Sequence, residues 1–158
     1  MLGRRTTVIA VVALALISSG VAVAQADGGS GSTSVVIGSG QSDEWFQISQ
    51  REGNDVVTVQ NTFLAGGFSG WHSHPGLTMV IVASGEVTLF REAVKGGKCR
   101  VHTYVAGDVF IERPSDEQNA VNHGTVPTVV AATFFNVPHG TPPPTRIDRT
   151  APLNCPVV

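Results

Sequence analysis

From residue 56 the chain alternates: Val57, Val59, Asn61 and Phe63 fall on one side, Val56, Thr58, Gln60 and Thr62 on the other. A period of two is that of a strand, so the pattern predicts one over 56–64. Runs rich in Val, Ile, Thr and aromatic residues recur at 71–74, 77–82, 86–90, 99–104, 108–111, 119–122 and 126–135. Short stretches at 35–37 and 45–48 are further strand candidates. Gly and Pro punctuate the boundaries, and no segment sustains a helical period. Many short strands at this spacing predict an all-β fold, a barrel or a sandwich. With roughly a hundred residues in the strand-rich part, it forms one domain around one core.

The two ends depart from this pattern. Arg4 and Arg5 precede an almost wholly apolar stretch over 8–24, and Ala22-Val23-Ala24 and Ala24-Gln25-Ala26 offer the small-x-small pattern of a cleavage site. Residues 1–26 therefore read as a signal peptide, cleaved after Ala24 or Ala26. A retained anchor is the alternative, but the apolar run falls short of the ~20 residues a spanning helix needs, and Ser18-Ser19-Gly20 interrupts it. Residues 27–34 are a Gly/Ser-rich linker. The barrel then occupies 35–140, and 141–158 form a Pro-rich tail. The run from Thr141 to Thr145 holds Pro142, Pro143 and Pro144, so the tail is expected to wrap the surface extended and unpaired.

Composition narrows the function classes. The formal net charge is −2, and loss of the leader's arginines would make the remainder more acidic. Lys95, Lys98 and Arg100 make the one local basic cluster, which argues against a nucleic-acid surface. No phosphate-binding glycine loop, CxxC pair or GxSxG elbow is present. Cys99 and Cys155 make an even count in a chain read as exported, so a disulfide is expected, the alternative being unpaired thiols too far apart to meet. The expected place of action is secreted or extracytoplasmic, without a stable membrane anchor.

His72-Ser73-His74-Pro75-Gly76 carries the candidate chemistry. On a strand, residues i and i+2 share a face, so both imidazoles can converge on one interior point. Such a pair is either a divalent-metal site or a hydrogen-bonding pair in a polar pocket. The frame of Gly66, His72, His74, Pro75, Gly76 and Gly85 resembles the first motif of the cupin superfamily. Gly107-Asp108, Pro114 and Asn122-His123-Gly124 echo its second. The resemblance covers 54–138 and implies a single cupin-type jelly-roll β-barrel. It also implies three histidines and a glutamate around a divalent transition metal. Two of those positions differ here: Thr78 stands where the glutamate belongs and Gln118 where the third histidine belongs.

The expected ligand pocket is therefore His72, His74, Thr78 and Gln118, with His72, His74 and Gln118 as the donors of a weak metal site of unassigned identity. Thr78 is placed in that cavity by i, i+4 alternation from His74. Trp71 and Phe68 are available for stacking. Glu112 and Glu117 read as exposed loop charges, and His102, His123 and His139 as lying outside the site. A one-residue slip around Asn122 would instead turn Asn119 and His123 inward. Two functions stay open: a module binding a small molecule, or a metal-dependent enzyme of dioxygenase, isomerase, decarboxylase or lyase type. A homodimer is implied by analogy with the family.

Overall fold

The computed structural model describes residues 33–92, 95–114 and 116–155. The expected signal peptide and nearly all of the linker lie outside the described residues. Ten strands follow in order: β1 (Gln41–Ser42), β2 (Asp55–Phe63), β3 (His72–Ser73), β4 (Thr78–Ser84), β5 (Glu86–Glu92), β6 (Arg100–Val105), β7 (Asp108–Glu112), β8 (Glu117–Val121), β9 (Thr128–Val137) and β10 (Ile147–Asp148). No described helix is long and apolar enough to cross a membrane.

Two five-stranded sheets hold them, in the orders β1-β7-β4-β9-β2 and β10-β3-β8-β5-β6. The pairing is nested: β2 with β9, β3 with β8, β4 with β7 and β5 with β6, all antiparallel. A ribbon paired in this way and rolled over on itself is a jelly roll.

Alternation explains the core. Val80 and Val82, Val87 and Leu89, Phe110, and Val130, Ala132 and Phe134 point inward between the sheets and form one buried cluster. Their neighbours Met79, Ile81 and Val129 are not fully buried. Strands β5 and β8 break the alternation, being buried on successive residues. The cause is a second cluster of Trp71, Phe90, Val121 and Cys155, which packs on the other face of their sheet. Cys99 and Cys155 are disulfide-bonded, with Cα atoms 5.1 Å apart. The bridge pins the tail there and restrains the unfolded chain by roughly 4 kcal/mol on a loop-entropy argument.

Two expectations need correction. Residues 35–37 and 45–48 form no strand, because Val35 and Trp45 are 85% and 82% exposed and find nothing to pack on. The strand in this region is β1, parallel to β7. The tail is not wholly unpaired either: beyond the prolines, Ile147 and Asp148 pair with Ser73 and His72. The prolines bar pairing only where they stand.

Candidate functional site

The two histidines sit at the entry to the second strand of the nested eight. Along β3 the side chains alternate, so Trp71 enters the outer cluster while His72 faces the interior. Ser73 turns outward again, and its hydroxyl accepts a hydrogen bond from Arg149 Nε at 3.0 Å. His74 lies just past the strand yet is as buried as His72, and the two rings meet edge to face at 4.7 Å. Pro75 and Gly76 then carry the chain into the other sheet. A Cβ on Gly76 would stand 1.9 Å from the Phe135 carbonyl oxygen, so only glycine lets the strands approach this closely.

Backbone carbonyls fix both imidazoles. Nδ1 of His72 donates to the Gly70 carbonyl at 2.8 Å, and Nδ1 of His74 donates to the Thr145 carbonyl at 2.6 Å. A carbonyl can only accept, so each Nδ1 carries a proton. Each Nε2 is thereby left as the inward-facing atom of its ring, the arrangement by which second-shell carbonyls orient metal- or ligand-binding histidines. Burial pushes the His72 pKa down to about 4, against the opposing pull of the Gly70 hydrogen bond, so this ring is neutral near pH 7. The charge of Glu112 raises it and that of Arg146 lowers it.

Glu112 was expected on the surface; it is buried, and its Oε2 lies 3.0 Å from His74 Nε2. Its place is the end of β7, directly across from Thr78 on β4. The carboxylate that Thr78 lacks is thus supplied from the neighbouring strand. Gln118 stands directly opposite His72 across the β3–β8 pair, so the register has not slipped. Asn119 bonds the Ser69 hydroxyl, and His123 is exposed. Thr78, Glu112, His74, His72 and Gln118 form a polar row from one sheet to the other. The Thr78 hydroxyl, both amide atoms of Gln118 and His74 Nε2 are buried without a hydrogen bond from the protein.

A ribbon of eight strands nested in this order, with His-x-His on its second strand and facing inward, decides the fold. The fold is a jelly roll, the architecture that the cupin resemblance implies. No family model matches the sequence, and no curated protein does. Among solved structures, the chain is similar to an uncharacterized Klebsiella pneumoniae protein with a double-stranded β-helix domain, at 28% identity and TM-score 0.44 over 51% of this chain and 66% of that one. It is similar to oxalate oxidase at 22% identity and TM-score 0.46, over 49% of this chain and 40% of that one. It is likewise similar to the Drosophila melanogaster CENP-C cupin domain, at 15% identity and TM-score 0.46 over 53% and 71%. The chain spans less than two thirds of the first two.

Inside this jelly roll a cavity of about 450 Å³ opens between the sheets. Its walls are apolar, with Val59, Phe63, Val80, Phe110 and Phe134 among them, and His72, His74, Glu112 and Arg146 supply charge and polarity. Thr78 and Gln118 do not reach its surface. Thr78 belongs to the opposite sheet from His74, since Pro75-Gly76 interrupts the strand, yet it faces inward with Val80, paired with the cavity-lining Glu112 and Phe134. Gln118 lies on the inward face beside His72, its directly paired partner, and is wholly buried. Phe68 does line the cavity, whereas Trp71 faces away from it.

His102 is exposed and packs on Tyr104, and exposed His139 lies 3.1 Å from Asp55. Neither belongs to the site. Glu117 is half-buried, 3.8 Å from Arg149.

Among the described residues, no three His, Cys, Asp or Glu side chains are gathered as a ready metal centre. Two donors are in place. His74 Nε2 and Glu112 Oε2 are both acceptors when His74 holds its one proton on Nδ1, and acceptors 3.0 Å apart repel unless a second proton or a metal ion lies between them. The pair fits a weakly held divalent ion.

Proposed function

We propose that this cupin binds a small organic molecule, with its apolar body in the barrel and its polar end against His72, His74 and Glu112. A divalent transition metal, held weakly by His74 and Glu112 with His72 and Gln118 beside them, completes that end. The observation that carries the reading is the 3.0 Å approach of His74 Nε2 to Glu112 while the His74 proton is committed to Thr145. When bound, the ion would act as a Lewis acid on a ligand oxygen. The protein's own residues do the rest. Gly70 and Thr145 set the tautomers, the apolar walls exclude water, and His72 Nε2 accepts a hydrogen bond from the ligand.

Native mass spectrometry of the purified protein tests this reading. A retained small-molecule adduct is expected in the wild type and its loss in the His72→Ala, His74→Ala double variant, with His102→Ala as the unaffected control. An adduct that survives the double variant would refute it. A second reading, a metal-dependent enzyme, is favoured by the same His74–Glu112 contact. It would show as stoichiometric rather than trace metal on elemental analysis.

We further propose that the protein works outside the cytoplasm after loss of residues 1–26, without a membrane anchor or a nucleic-acid partner. The Cys99–Cys155 disulfide supports an oxidising compartment. Intact-mass measurement of the exported protein checks the cleavage, and a retained Met1 would contradict it.

A further inference from the structure

We propose that the C-terminal tail completes the ligand site: Arg146, laid across the cavity mouth, takes the carboxylate of an apolar hydroxy acid whose hydroxyl bonds to His72. The inference rests on the small-molecule reading above and names the chemistry of the ligand.

The tail is built into the site rather than draped near it. Ile147 and Asp148 pair with Ser73 and His72, and Arg149 N–H donates to the Trp71 carbonyl at 3.0 Å. Thr145 gives its carbonyl to His74, and the disulfide at Cys155 holds the far end. Thr145 and Arg146 both line the cavity. The barrel strands alone would leave His74 without the partner that sets its tautomer.

Arg146 has donors to spare. Its Nε donates to Asp148 Oδ1 at 2.6 Å, which fixes the side chain and leaves the terminal amino groups for an end-on carboxylate. They share the cavity lining with His72, and a Cβ on Gly70, whose carbonyl holds His72 Nδ1, would be 3.4 Å from Arg146 Nη2. The cavity lining therefore includes a part-exposed guanidinium whose terminal amino groups bond no described residue, and an imidazole whose Nε2 likewise bonds none. A carboxylate and a hydroxyl on adjacent carbons meet both demands. Among the polar groups at that end of the ligand, Glu112 repels a carboxylate, so the acid group faces Arg146 and the hydroxyl the histidines, while the apolar part lies among Phe63, Phe110 and Phe134.

Calorimetric titration of the disulfide-intact, metal-stripped protein tests this with three probes. They are 3-phenyllactate, 3-phenylpropionate, which lacks the hydroxyl, and 3-phenylpropane-1,2-diol, which lacks the carboxylate. The expected result is that 3-phenyllactate binds at least tenfold more tightly than either of the others. Arg146→Ala should erase the preference for the acid over the diol while leaving the diol's own affinity unchanged, and Arg146→Lys should restore part of it. If the diol binds as well as the acid, or if Arg146→Ala keeps the preference, the role of the tail is overturned while the cavity reading stands. If none of the three binds, this inference falls, and the adduct measurement above decides the fate of the cavity reading separately.

Discussion

His74 and Glu112 come from opposite sheets, yet their Nε2 and Oε2 atoms meet at 3.0 Å in the buried interior. The contact is short, but His74 Nε2 has no aligned hydrogen bond. On the metal-binding reading proposed above, nitrogen and oxygen are neighbours around a shared cation. Glu112→Gln keeps the shape and removes the charge. Zinc affinity measured by calorimetry should fall at least tenfold in that variant, because a dication loses the only carboxylate in the row. Unchanged affinity would mean that the ion binds elsewhere.

His72 makes stability depend on pH in the metal-free protein. Its pKa is lowered from 6.5 in the unfolded chain to about 4 in the fold, so between these values the unfolded state binds more protons. The contribution is full above 6.5 and is lost as pH falls toward 4, amounting to about 3 kcal/mol. Denaturant unfolding across this window should show stability rising with pH, and His72→Asn should flatten the rise. An equal slope in wild type and variant would contradict the assignment.

The disulfide ties the tail to the barrel at a sequence separation of 56. Cys155→Ser should lower the unfolding free energy by up to roughly 4 kcal/mol. Limited proteolysis should then cut first within 141–155, since the second apolar cluster loses its clamp. An unchanged denaturation midpoint, with the tail still protected, would show that packing alone holds it.

Gly76→Ala places a methyl group against the Phe135 carbonyl, where backbone rather than a flexible side chain must yield. Thermal unfolding should report a loss of about 3 kcal/mol, at the upper end for overpacking. Gly53→Ala meets no atom within 4 Å and strains only its own positive φ, so it should cost less. Equal costs at the two positions would refute the close-approach explanation.

The alternation of apolar and polar residues made the eight jelly-roll strands legible, because it is a local property and each strand carries its own record of it. The histidine pair was legible for the same reason. Glu112 was not: its carboxylate enters the site through the register of β7 against β4, a pairing no local pattern encodes. One signal was available, since Phe110 and Glu112 share a face of β7 and Phe110 is plainly a core residue. Thr78 does face inward, but from the other sheet, because the chain changes sheet at Pro75-Gly76 where a continuous strand was assumed. The tail was read only from its prolines, whereas Thr145 and Arg146 reach the cavity just beyond them.

Long-range nitrogen–proton NMR of the imidazole rings tests the central claim most directly, because it reads each ring nitrogen of His72 and His74 separately. In the metal-free protein at neutral pH, both Nδ1 atoms should be protonated and His72 Nε2 should be bare. Added zinc should shift His74 Nε2 while leaving its Nδ1 proton in place, and the shift should be lost in Glu112→Gln. A protonated Nε2 on His72, or a His74 ring unmoved by saturating zinc, would contradict the account.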